Sequence, residues 1–240
     1  MKGRHRTRDG WKLAVAEVAF VPLDALYQRA TYVLRHEGWR AFIRQGFSYV
    51  LGRFFSCGDY YIYEKELNPD DQSVPIKPGI DCIMKVVSTP GELDDLKAHG
   101  YSFKAMVFKP KLEKGAIAFC LFVGRELASV TWVAPNKEAK VEIDYVPFAV
   151  DFERGEVCSG ASVTDPSYRG KGLLGHTYSY IFRYLARSGL RKDKFSIAAD
   201  NVASHKAHAR LNPRVTGKGR YLKILRWESW KEQPTGEIDQ

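Results

Sequence analysis

The sequence predicts an α/β fold of the mixed-sheet (α+β) type, with helices on the sheet faces and a basic helical extension at the N-terminus. Three observations carry this reading. Apolar runs at 116–123 and 127–133 flank Gly124-Arg125-Glu126 and read as an antiparallel hairpin. A strand, a glycine turn, a helix, a second strand and a second helix then follow over 156–210, which requires a sheet holding both strand senses. The apolar fraction of 45% supplies a packed core, yet no window approaches the ~18 apolar residues of a membrane span.

In chain order, residues 1–67 read as a distinct region. Ala30, Val33, Leu34, Trp39, Phe42, Ile43, Phe47, Val50 and Phe54 recur at helical spacing with Arg35, Arg40, Arg44 and Arg53 between them. Gly38 and Gly46 favour two shorter helices over one. Residues 68–79 are rich in Pro and Asp and read as a linker. Within a domain spanning 80–230, a first strand is expected at 80–87 and a helix from Pro90. After the hairpin, the apolar segment 143–152 is interrupted by Pro147 and reads as an edge or crossover piece. Strand 156–163 precedes the glycine turn, and a helix with Leu173, Leu174, Tyr178, Ile181, Phe182 and Leu185 follows it, ending at Gly189. Residues 194–199 give the next strand, Asn201 opens a helix, and the last strand is expected at 220–227 after a Gly217-Lys218-Gly219 turn. Residues 231–240 read as a polar tail.

The net charge of +9 favours anionic partners, and most of the excess lies before Phe55. The basic amphipathic stretch 26–55 suits packing on the rest of the chain, a homodimer, or a peripheral contact with an anionic membrane. No nucleic-acid-binding signature appears, so that class is not expected. Cys57, Cys82, Cys120 and Cys158 are widely spaced, which argues against a metal site or a disulfide framework and suits a reducing, cytoplasmic setting. The N-terminus lacks a secretory core and cleavage site.

The stretch 157–175 concentrates the chemistry. Glycines let a backbone approach a ligand, the first N–H groups of a helix lack internal partners, and the helix dipole adds positive charge there. Arg169 and Lys171 add formal charge. A phosphate-bearing ligand is expected. Gly170, Gly172 and Gly175 also match the spacing of a dinucleotide fingerprint, but there the strand runs directly into the first glycine. Here residues 164–169, with Pro166, intervene. A P-loop would place Ser or Thr after Lys171, where Gly172 stands.

The segment from Val163 to Gly172 closely resembles the acyl-CoA-binding motif of the GNAT superfamily of N-acetyltransferases: Arg or Gln, two residues, Gly, one residue, then Gly or Ala. Arg169 and Gly172 match, Leu174 stands in place of the small last residue, and Gly175 follows. The strand at 194–199 and the helix opened by Asn201 follow in the family's order. The resemblance implies that Arg169, Gly170, Lys171, Gly172, Leu173 and Leu174 hold the diphosphate of acetyl-CoA or another acyl-CoA. It also implies that the pantetheine arm pairs with the strand near Val163, with Asn201 beside it. Asn201 is equally an ordinary helix cap. His208 occupies the position of the family's usual Tyr acid, against the alternative of a solvated basic helix face with His205, Lys206 and Arg210. Asn212-Pro213 replaces the usual Gly-Phe. Glu156 is the positional candidate for the base, with Asp144 and Asp151 upstream. Trp132 and Tyr145 are candidates for the acceptor pocket or the core.

The expected function is therefore CoA-dependent N-acyl transfer to a small-molecule or peptide amine by direct attack in a ternary complex. The alternative is an inactive CoA-binding or membrane-peripheral adaptor of the same fold, and a dinucleotide-dependent oxidoreductase survives on glycine spacing alone.

Overall fold

The computed structural model describes residues 55–68, 76–103 and 108–234, together with Trp39. The expected helices before Phe55, and the membrane and dimer contacts assigned to them, lie outside this set except at Trp39. So do residues 69–75 of the expected linker and the end of the polar tail. The chain divides into two compact units, 58–221 with 230–240, and 1–57 with 222–229. In the second unit the described residues are 55–57, Trp39 and the turn at 222–229, where Lys223 Nζ meets Glu228 at 2.8 Å.

Eight strands form one mixed sheet: β1 (Phe55–Glu66), β2 (Ile83–Val87), β3 (Ile117–Val123), β4 (Glu126–Ala134), β5 (Glu156–Thr164), β6 (Lys192–Ala198), β7 (Arg214–Ile224) and β8 (Trp227–Pro234). Their spatial order is β2-β3-β4-β5-β6-β1-β7-β8. The β3–β4 hairpin stands as expected, turning at Gly124 with a left-handed φ of 61°. β5 and β6 are parallel, and every other pairing with a described register is antiparallel.

Among the described residues five α-helices join them: α1 (Pro90–Ala98), α2 (Lys109–Glu113), α3 (Lys137–Ile143), α4 (Leu173–Arg187) and α5 (Val202–Ala209). α1 begins in a capping box, with Thr89 accepting from the Glu92 N–H and Glu92 reaching back to the Thr89 N–H. α3 was not expected. Asn136 caps it through the Ala139 N–H at 2.7 Å, and the segment after it, 144–151, is irregular chain rather than an edge strand. α4 ends in a Schellman motif, with the Leu190 N–H on the Leu185 carbonyl and the Gly189 N–H on Ala186.

Two hydrophobic layers cover the sheet. Leu93, Leu112, Ala139 and Ile143 from α1–α3 pack with Phe122, Trp132, Val146, Phe148 and Cys158 on one face. Tyr178, Ile181, Phe182 and Leu185 from α4 pack with Phe119, Val157, Phe195 and Ile197 on the other. Among the described residues no helix is long and apolar enough to cross a membrane.

Two expectations need correction. Residues 55–66 are a strand, not the end of a helical extension. Tyr60 to Glu66 pair with Ala198 to Lys192 of β6, so this stretch belongs to the same sheet as the region read as the separate domain 80–230. The second concerns Gly217 and Gly219, which lie inside β7 rather than at a turn. They are glycines because β8 crosses closely: a Cβ on Gly219 would collide with the Trp230 indole, and one on Gly217 with the Glu232 carboxylate. Gly219→Ala should therefore destabilise the fold by about 1–3 kcal/mol in urea unfolding, as overpacked sites do. Adding Trp230→Leu should recover part of the loss. An unchanged midpoint in the single variant would show that the two strands separate freely there.

Candidate active site

The site is built where two adjacent parallel strands part. β5 and β6 pair at only three positions, Glu156 with Lys192, Val157 with Asp193 and Cys158 with Lys194. Beyond Cys158, β5 stays paired to β4 on its other side and β6 to β1. Their facing edges, from Ser159 to Thr164 and from Phe195 to Ala198, share no described pairing. A bulge adds to the divergence. Val130 pairs with Val163 but Trp132 with Gly160, so Ala161 and Ser162 face Thr131 alone, and Ala161 has a φ of 45°.

The open edge of β5 leads into the glycine loop. Asp165 accepts from the Ser167 N–H at 2.9 Å, forming the Asx turn that Asp-Pro predicts, and its own N–H bonds Ala128 O. Arg169 is exposed, and its Nε donates to the Thr164 carbonyl at 3.2 Å. Gly170 and Gly172 have φ of 76° and 74°, and nothing lies within 4 Å of where their Cβ atoms would be. Gly172 caps α4 without a side chain, so the N–H groups of Leu173, Leu174 and Gly175 have no partner within the helix. Residues 76–79 brace this turn: Gly79 N–H bonds the Lys171 carbonyl at 2.8 Å, and His176 Nδ1 lies 2.7 Å from Ile76 O. A cavity of about 120 Å³ lies beside the loop between Phe103, Leu127, Ser129, Val163, Thr164 and Arg169.

Arg169 to Leu174, expected at the diphosphate, and Val163, expected beside the pantetheine arm, thus lie at adjoining ends of one strand and one helix. Asn201 stands one helix away and caps α5, its carbonyl oxygen accepting from the Ser204 N–H at 3.1 Å.

The two residues expected to move protons sit elsewhere. Glu156 Oε2 lies 2.8 Å from Lys194 Nζ and Oε1 3.8 Å from Lys192 Nζ, and Oε2 accepts from the Asp151 N–H. Burial raises its pKa, but that hydrogen bond and the two lysines outweigh it and leave the carboxyl below its ordinary range. His208 is buried, not solvated: it is 3% exposed, with its ring 4.3 Å from Tyr178 and 4.8 Å from Phe195. Burial pushes its pKa down to about 4, against a small opposing pull from Ser204. Nδ1 donates to Ser204 O at 2.8 Å, and Nε2 has no hydrogen-bond partner. A neutral ring with that tautomer has no proton to give at Nε2.

Asp144 is better placed than Glu156. It enters from the connection after α3 and lies beside Gly160 of β5. Oδ2 accepts from the Ser196 hydroxyl of β6 at 2.7 Å and Oδ1 from the Val146 N–H at 2.9 Å. The carboxyl therefore wedges between the parted strands. Burial raises its pKa, with Lys140 and these hydrogen bonds opposing. Tyr145 beside it is exposed and its hydroxyl bonds that of Tyr60. Trp132 is core, 4% exposed and packed on Phe108, and Asp151 caps a short 3-10 turn at 152–154. On the opposite face, sequence reasoning missed Ser159, Ser162, Tyr178 and Asp193. Ser159 donates to Asp193 Oδ2 at 2.7 Å, and Asp193 is completely buried, which pushes its pKa up to about 8. An Asp inside an apolar strand pattern was the one local signal.

His208 also sets a pH dependence. Its folded pKa is depressed from 6.5 to about 4, so the unfolded chain takes up the proton first. This contribution to stability is present above about pH 6.5 and is lost as the pH falls towards 4. Chemical denaturation at several pH values should show that slope, and His208→Gln should flatten it. A His208 ring that titrates near neutrality by NMR would contradict the buried geometry.

No protein-family model matches the chain, and no curated protein matches it. Solved structures of similar shape include an acetyltransferase from the GNAT family of Colwellia psychrerythraea, at 14% identity over 78% of this chain and 63% of that one, with a TM-score of 0.44. They also include GCN5-related N-acetyltransferases from Kribbella flavida (15% identity, 75% and 63% coverage, TM-score 0.45) and Sphaerobacter thermophilus (14%, 85% and 59%, TM-score 0.42). This chain spans less than two thirds of the length of each. These are likenesses of fold alone.

Proposed function

We propose that this chain is a CoA-dependent N-acyltransferase, moving an acetyl or similar acyl group from acyl-CoA to an amine in a ternary complex. The observation that carries the reading is an unpaired strand edge that leads, through the turn at 165–168, to an unobstructed glycine turn at a helix N-terminus. An extended amide chain ending in a diphosphate fits that combination. Its amides can complete the β5 ladder at Ser162–Thr164, and its phosphates can take N–H bonds from Gly170 to Leu174 with Arg169 and Lys171 alongside. These contacts use backbone, so the bulk of Leu174 does not remove its N–H. Glycine at 170 and 172 keeps the approach clear. Asn201 holds the start of α5 across from this edge.

The reaction requires the amine to lose a proton as its nitrogen bonds the acyl carbon. Asp144 suits that step better than Glu156: burial makes it the more basic carboxyl, and it lies between the parted strands instead of between two lysines. The acceptor would enter beside Tyr60 and Tyr145. A small molecule and a peptide amine both remain in scope.

Thermal unfolding with ligand tests the reading. Acetyl-CoA at about 100 times its dissociation constant should add about 2.7 kcal/mol of stability, while NADH and ATP should add little. Arg169→Glu, an exposed change, should keep the unliganded midpoint and remove most of the acetyl-CoA effect. No effect of acetyl-CoA on the wild-type chain would sink the proposal, and a shift with NADH alone would revive the dinucleotide reading.

A further inference from the structure

Acyl transfer from a thioester also releases a thiolate that must be protonated, and His208, where the resemblance puts the donor, is a buried neutral ring without a proton on Nε2. A different set of hydroxyls reaches the open edge. Ser162 lies on the bulge and is exposed. Its hydroxyl is 3.0 Å from that of Thr131 and 3.4 Å from the Tyr178 phenol. Tyr178 is 2% exposed, and burial raises the pKa of its phenol against an opposing pull from the nearby Ser159, which donates to Asp193 Oδ2 at 2.7 Å. Ser162, Tyr178, Ser159 and Asp193 form a chain of neighbouring polar side chains from the core under α4 to the surface of β5.

From this geometry we infer that Ser162 is the proton donor to the leaving thiolate, fed by Tyr178 and held in line by the Ser159–Asp193 pair. The inference rests on the acyl-transfer reading above and assigns a role within that same site. Two observations support it. The bulge is what aims Ser162 at Tyr178: without the extra residue, strict alternation would fix which face each residue of 160–163 takes. The chain is also expensive as mere packing. Asp193 and Ser159 are completely buried, and Asp193 Oδ1 has no partner, although apolar side chains would fill such a place at lower cost.

Ser159 donates its hydrogen to Asp193. Hydroxyl hydrogens rotate to suit their partners, so the Tyr178 phenol can donate to Ser162 and leave the Ser162 hydrogen free for a ligand at the open edge. In the transfer, the amine nitrogen bonds the acyl carbon, the carbon–sulfur bond breaks and its electron pair stays on sulfur. The Ser162 proton passes to sulfur and is replaced from Tyr178, and the exposed Ser162 hydroxyl then relays one proton from water back to the Tyr178 phenolate. That proton balances the one the amine gives up through Asp144. Ser162 is the catalytic residue; Tyr178, Ser159 and Asp193 are positioning and relay residues.

The test needs only protein and free CoA. A donor aimed at sulfur stabilises the thiolate, so the thiol of bound CoA, followed by its ultraviolet thiolate absorbance during a pH titration, should be about tenfold more acidic than that of free CoA. Ser162→Ala and Tyr178→Phe should bring the thiol of saturating bound CoA back to the free value. Ser162→Thr, which keeps the hydroxyl, should preserve the shift. A bound thiol that titrates like free CoA in the wild-type chain, or a shift that survives both Ser162→Ala and Tyr178→Phe, would overturn the inference alone. Failure of the wild-type chain to bind CoA would overturn the acyl-transfer reading and this inference with it.

Discussion

An ion-pair lattice across three strands determines where the sheet holds together and where it opens. Lys194 Nζ lies 2.8 Å from Glu156 on β5 and 3.2 Å from Glu64 on β1, and Lys192 Nζ lies 3.0 Å from Glu64. The side chains are 13–23% exposed, which screens them less than ordinary surface pairs. Each lysine joins both neighbours of β6, so the lattice clamps β5, β6 and β1 at one end. The clamp coincides with the three β5–β6 pairs, and no further pairs follow. Parallel strands gain their stability from continuous ladders. A short ladder braced by charges lets the remainder diverge without detaching either strand.

The divergence has physical consequences on both faces. On the α3 side the gap admits one carboxylate, Asp144, bonded to Ser196 across the opening. On the α4 side it is lined by Ser159, Asp193 and Tyr178, with His208 packed on the Tyr178 ring. A continuous sheet would have filled these positions with apolar side chains. Buried polar groups of this kind destabilise a fold unless every partner is supplied, and here Asp193 Oδ1, Thr177 Oγ1 and His208 Nε2 lack one. The open edge therefore carries a carboxylate on one side and a cluster of hydroxyls with a second carboxyl on the other.

Much of the scaffold was legible in the sequence because it is local. The hairpin around Gly124, the Asp165-Pro166 turn, the stripe from Leu173 to Leu185 and the caps at Asn201 and Gly189 all stand as the pattern indicates. What was not legible depends on distant partners. Glu64 and Glu66 look like surface acids until Lys192 and Lys194 stand opposite them, so β1 was absorbed into a helical extension. Gly217 and Gly219 read as a turn because the approach of Trp230 and Glu232 is not encoded next to them. His208 sits among basic residues in the sequence, yet its face of α5 turns onto Tyr178 and Phe195. The bulge that exposes Ser162 has no local signature, since Ala161 is a non-glycine residue with positive φ.

The central claim is that the unpaired edge of β5 and the glycine turn after it form one continuous binding surface for acyl-CoA. Amide hydrogen exchange with and without CoA tests it most directly. The account predicts slower exchange on CoA binding at residues 162–164 and 170–176, with β2, β3 and α1 unchanged. Protection confined to other elements, or CoA binding that leaves both stretches exchanging as before, would contradict it.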